Sequence, residues 1–115
     1  MIERKFKSDR TSKVVIYNGV AYLSGVTADV RTVPTYDQTK QALGKIDGYL
    51  EAAGTGKSRL LSVTVWLRDM KDWEEMNRAW LEWVDRDNPP ARATVGTGLY
   101  GSDYLVEIMS MAAVG

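Results

Sequence analysis

The 115-residue chain contains no cysteine and no histidine. These absences remove thiol nucleophiles, disulfides, the common zinc ligands and the ordinary neutral-pH general base together. Any chemistry must therefore use carboxylates, arginine, hydroxyls, backbone groups or water, with neither metal nor cofactor expected. The chain also lacks net charge: fifteen basic residues balance fifteen acidic ones. No overall attraction to nucleic acid or anionic membrane is written into that balance, and no basic, aromatic-interleaved patch supplies one locally, so RNA is disfavoured as a partner. Long apolar runs are missing too. No segment approaches the roughly 18 apolar residues of a membrane span. The opening Met-Ile-Glu-Arg-Lys-Phe-Lys has no apolar signal region, so the expected location is cytoplasmic, without a membrane partner. The length fits one domain over residues 1–115, with a surface-to-volume ratio that a partner subunit would improve.

What is present reads as alternating strands and helices. Lys13-Val-Val-Ile-Tyr17 and Val20-Ala-Tyr-Leu-Ser24 flank Asn18-Gly19, a strong short hairpin signal; a short earlier strand near Glu3 to Phe6 is a weaker one. After Ser24-Gly25, residues 26–34 have no helical period and close on Pro34. From Thr35 to Ala53, Thr39, Ala42, Leu43, Ile46, Leu50 and Ala53 recur at helical spacing, and Gly54 supplies a stop. The following Gly54-Thr-Gly-Lys-Ser58 imitates the end of a phosphate loop. However, Glu51 stands where that motif needs glycine, and the segment follows a helix and precedes a strand, so a connecting loop is expected. Leu60-Leu-Ser-Val-Thr-Val-Trp-Leu67 reads as a strand, with Leu61, Val63, Val65 and Leu67 on one face. A second helix is expected over roughly Lys71 to Val84, capped by Asp69 or Asp72, with Trp73, Met76, Trp80, Trp83 and Val84 as a core stripe. Asn77 lies between that stripe and its edge.

The last 28 residues read as two strands joined by a glycine-rich turn, each carrying one ionisable group. Arg92 follows Pro89-Pro90; Glu107 sits in the apolar run Tyr104-Leu-Val-Glu-Ile-Met. Strand alternation puts Glu107 on the side of Leu105, Met109 and Met111, an environment expected to desolvate a carboxylate and raise its pKa. Two readings stay open for the pair: a structural ion pair between them, or an arginine that binds a small anion beside a carboxylate that orients water. The element order is α+β, with two helices covering one face of a sheet. Because the last strand is apolar on both sides and no segment remains to cover the second face, a homo-oligomer is expected.

Leu23-Ser-Gly25, Leu50-Glu-Ala-Ala-Gly54, Val63-Thr-Val-Trp-Leu-Arg-Asp-Met70, Met76-Asn77, Pro90-Ala-Arg-Ala-Thr-Val95 and Leu105-Val-Glu-Ile108, in this order and spacing, resemble the RidA/YjgF family, the reactive-intermediate deaminases also known as L-PSP endoribonucleases. The resemblance spans nearly the whole chain. It implies a chorismate-mutase-like two-layer fold with a mixed, mainly antiparallel sheet, a homotrimer with clefts between subunits, and hydrolysis of 2-imino acids to 2-keto acids and ammonia. Within it, Arg92 corresponds to the arginine that holds the substrate carboxylate and Glu107 to the acid that activates water. Ser24, Gly25 and Asn77 correspond to positions lining the cleft. Three departures stand out. Asp9-Arg-Thr-Ser-Lys13 replaces the family's Gly-Pro-Tyr segment, whose tyrosine lines the cleft. Thr94, itself a candidate binding residue, replaces a frequent cysteine, and Gly96 a frequent glutamate. Two other functions remain in view: a non-catalytic module that binds a small carboxylate such as a keto acid, and the ribonuclease activity of the older family name.

Overall fold

The computed structural model describes residues 1–115. Strands β1 (Glu3–Lys7), β2 (Ser12–Tyr17) and β3 (Val20–Val26) are followed by helix α1 (Thr35–Ala52), strand β4 (Leu60–Leu67), helix α2 (Trp73–Trp83) and strands β5 (Ala91–Gly96) and β6 (Val106–Ala113). The six strands form one sheet in the order β1-β2-β3-β6-β4-β5. Only the β4–β5 pair is parallel, joined by the α2 crossover. At the Asn18-Gly19 turn both residues take positive φ, 50° and 76°, as a two-residue hairpin matching the strand twist requires. Gly54 (φ 79°) ends α1. Its N–H donates to Glu51 O, and that of Thr55 to Leu50 O, each at 3.0 Å, a Schellman closure that satisfies carbonyls the helix leaves open.

Both helices lie on one sheet face. Ala42, Leu43, Ile46 and Leu50 of α1 and Met76 and Trp80 of α2 pack with Val14, Leu23, Val63, Val65, Leu67, Val106 and Ile108 in one core. The opposite face carries Tyr22, Trp66, Val95, Met109 and Met111, and Tyr22, Val95 and Met109 are each more than 40% exposed. No helix is long and apolar enough to cross a membrane.

Several local expectations are corrected. Strands β5 and β6 are not neighbours: β4 lies between them, and residues 97–105 cross over it rather than forming a tight turn. Leu61 is exposed and Leu60 takes its place in the core, because an irregularity between Leu60 and Ser62 resets the alternation. Trp73, at the first turn of α2, is not core. Asp69 caps a short 3-10 turn over Met70–Asp72 ahead of α2, accepting from the Lys71 N–H at 3.0 Å. Tyr104 and Leu105 precede β6 instead of opening it. They are held from outside the strand. The fully buried Gln38 accepts from the Leu105 N–H at 3.1 Å and donates to Asp103 O at 3.1 Å. Arg68 donates to Tyr104 O at 2.7 Å, to Leu99 O at 3.0 Å and to Gly101 O.

Candidate active site

Arg92 is the second residue of β5, an edge strand, and its register partner on β4 is the core residue Val63. The side chain therefore rises on the helix face and runs under α2. Its Nη1 donates to Asn77 Oδ1 at 2.9 Å, and its guanidinium carbon lies 5.1 Å from the Trp80 ring centroid and 5.7 Å from that of Trp73. The two aromatic faces stabilise the cation while partly stripping its water, and this burial lowers the Arg92 pKa below the ordinary arginine value. No carboxylate comes within ion-pair distance of it. One N–H is committed to Asn77, and the guanidinium retains donors for a planar anion. Thr94, two residues along the same face, has a buried hydroxyl without a hydrogen-bond partner.

Glu107 occupies the other face. On β6 it is registered with Trp66 of β4, which is in turn opposite Val95 of β5. Next to it, β3 carries one extra residue between Leu23 and Val26, so that Ser24 and Gly25 bulge against β6. The bulge is why a glycine is needed there. A β-carbon at Gly25 would lie 2.2 Å from Glu107 Oε2, so the carboxylate occupies the space that any side chain at 25 would take. The Ser24 hydroxyl is buried and unpartnered. Glu107 borders two open cavities. One, of about 210 Å³, is lined by Gly25, Thr27, Tyr100, Tyr104 and Glu107. The other, of about 250 Å³, is lined by Trp66, Thr97, Gly98, Leu99 and Glu107.

The candidate residues thus form two groups on opposite sheet faces. Arg92, Asn77 and Thr94 gather beneath and beside α2; Ser24, Gly25 and Glu107 gather on the uncovered face. Within one chain Arg92 and Glu107 make no ion pair. The expected apolar enclosure of Glu107 is likewise absent in the single chain: the carboxylate is half-buried and Met109 beside it is exposed. Sequence reasoning missed the aromatic bed under Arg92, because helical spacing marks Trp73 and Trp80 as apolar without saying which neighbour they cover. It also missed Tyr100 and Tyr104, whose only signal was a missing tyrosine elsewhere.

An α+β sheet with two helices on one face, an arginine held open at its edge and a glutamate cradled by a glycine bulge describe a recognisable class of small domain. The family model for endoribonuclease L-PSP matches residues 5–114. A RutC family protein of Haemophilus ducreyi is 45% identical over 99% of this chain and 97% of its own. The RutC family protein YoaB of Escherichia coli is 41% identical over 91% of each. A YjgF family protein of Neisseria meningitidis superposes with a TM-score of 0.97 at 34% identity, covering 100% of this chain and 96% of that one. The chain belongs to the RutC/YjgF/L-PSP family.

Proposed function

We propose that the protein is a cytoplasmic hydrolase that converts 2-imino acids to 2-keto acids and ammonia, in clefts formed between the subunits of a homotrimer. The observation that carries this reading is Arg92: a half-buried guanidinium, positioned by Asn77 and two tryptophans, with no anion of its own chain to neutralise it. A small carboxylate completes it. The separation of the two residue groups supports a site shared between copies, because one chain's Arg92 reaches the reaction centre of Glu107 only if that glutamate belongs to a neighbour. Tyr22, Val95, Met109 and Met111 on the uncovered sheet face give such a neighbour apolar surface to bury.

The chemistry needs little beyond this. A protonated imine is already electrophilic, so holding its carboxylate on Arg92 fixes C2 in place for attack. Glu107 accepts a proton from water as the water oxygen bonds to C2. It then returns that proton to the nitrogen and takes up the remaining hydroxyl proton as the C–N bond breaks and the carbonyl forms; ammonia carries that proton away as ammonium, with the keto acid left behind. The test generates 2-imino acids with an amino-acid oxidase and follows their decay. Faster hydrolysis with the protein than without it is expected, with weak activity on the smallest substrates because the family's cleft tyrosine is absent from its place ahead of the first hairpin strand. Binding of keto acids without any acceleration would leave only the carboxylate-binding module.

The assembly makes a separate prediction. Sedimentation at micromolar concentration is expected to give a trimer. A stable, well-folded monomer that still hydrolyses imines would defeat the shared cleft.

A further inference from the structure

Residues 97–105 carry an oddity that folding does not explain. Tyr100 is 90% exposed, yet the loop bearing it is clamped from three sides. Arg68 donates to the carbonyls of Leu99, Gly101 and Tyr104, and Gln38 grips Asp103 and Leu105. Arg31 stacks 4.4 Å from the Tyr104 ring centroid and pairs with Asp103 at 3.7 Å. Gly101 turns the chain at φ 77°, and a β-carbon there would press to 3.2 Å on the Tyr104 ring. The Tyr104 ring is thereby held in place, and the Tyr100 ring, carried on the same clamped backbone, stands 6.5 Å from it, tilted by 40°. Both line the 210 Å³ cavity that contains Gly25 and Glu107.

We infer that Tyr100 and Tyr104 form the side-chain pocket of the site, and that the substrates it selects are 2-imino acids with aromatic or large apolar side chains. This rests on the hydrolase reading above. Tyrosines on a clamped backbone offer broad apolar faces at little entropic cost, so an aromatic ring is the ligand they favour. The space suffices, since roughly 150 Å³ accommodates benzene, and the two tyrosines supply the apolar side of an open cavity that Thr27 and Glu107 make polar on the other. With C2 of the substrate beside Glu107, the side chain enters between the rings while the carboxylate points away toward the neighbouring copy's arginine. The wall that the family builds with a tyrosine ahead of its first hairpin strand is here supplied by the loop before β6.

The test measures keto-acid binding by calorimetry, independent of turnover, with phenylpyruvate and pyruvate as probes against the wild-type protein and Tyr100→Ala. The wild type is expected to bind phenylpyruvate more tightly, and Tyr100→Ala to lose about tenfold more affinity for phenylpyruvate than for pyruvate. Tyr104→Leu, which keeps an apolar side chain where alanine would leave a gap, is expected to lose selectivity in the same direction. Equal affinity of the wild type for both acids, or equal losses for both in Tyr100→Ala, overturns the pocket while leaving the Arg92 anchor standing. So does a Tyr100→Ala protein that changes its sedimentation but not its selectivity, since the tyrosine is then a subunit contact. Failure of the wild type to bind either acid removes the hydrolase reading and the pocket together.

Discussion

Arg92→Lys is expected to fold and assemble as the wild type does, and to lose about thirtyfold in keto-acid affinity, the equivalent of about 2 kcal/mol for a charge-assisted pair. Charge is retained in this variant; geometry is not. A guanidinium can give one N–H to Asn77 and still offer a planar, two-point edge to a carboxylate, whereas an ammonium offers a single strongly hydrated point charge. Arg92→Ala should bind no more tightly than Arg92→Lys. Stability is the discriminating measurement. Because Arg92 has no carboxylate partner within its own chain, its removal strands no anion there, and the loss of the Asn77 contact costs only about 1 kcal/mol. If the residue served instead to neutralise Glu107 of a neighbouring copy, its loss would leave a carboxylate unpaired in an interface, at a cost of several kcal/mol. A large drop in melting temperature with keto-acid binding retained would refute the ligand-anchor reading.

How much of this was legible in the sequence depended on the range of the interactions involved. The Asn18-Gly19 hairpin and the Gly54 helix stop are written in residues next to one another, and both stand where local turn chemistry put them. The α1 core stripe is likewise set by a period within a single element. The relation of β5 to β6 is not local: which strands become neighbours depends on where α2 carries the chain, and nothing in the glycine-rich connection says that β4 will come between them. Leu61 was misplaced because strict alternation cannot anticipate the irregularity at Leu60. For the site, the residue types at 92 and 107 drew attention in sequence because an apolar strand rarely holds a charge. Their placement on opposite faces follows from a register of three strands, each of which had to be known. From its own neighbours Gly25 reads as the end of a strand, and only the family resemblance places it at the cleft. Its purpose, leaving room for the Glu107 carboxylate, appears when the bulge brings the two together.

That contact sets up the other large effect. In Gly25→Ala the new methyl would sit 2.2 Å from Glu107 Oε2 and 3.1 Å from Cδ, so the carboxylate has to move. Gly25 does not have a positive φ, so alanine meets no backbone penalty there and the whole effect comes through the contact. The displaced atoms are the free end of a flexible side chain beside open cavities, and swinging them to a poorer rotamer costs on the order of 1 kcal/mol. The fold should survive with little change in melting temperature. Catalysis should not: misplacing a reacting group by about 1 Å costs roughly a hundredfold. Glu107→Gln, which keeps the shape but loses the base, should lose at least as much, within the roughly 10²- to 10⁴-fold range of general-base removal. The double variant decides how the two residues are related. If Gly25 acts by placing Glu107, adding Gly25→Ala to Glu107→Gln should cost nothing further in kcat for imine hydrolysis. Losses that multiply would mean that Gly25 contributes independently, through its own backbone. Full turnover in Gly25→Ala would mean that the reaction does not depend on where the Glu107 carboxylate stands, and the assignment of Glu107 as the base would fall.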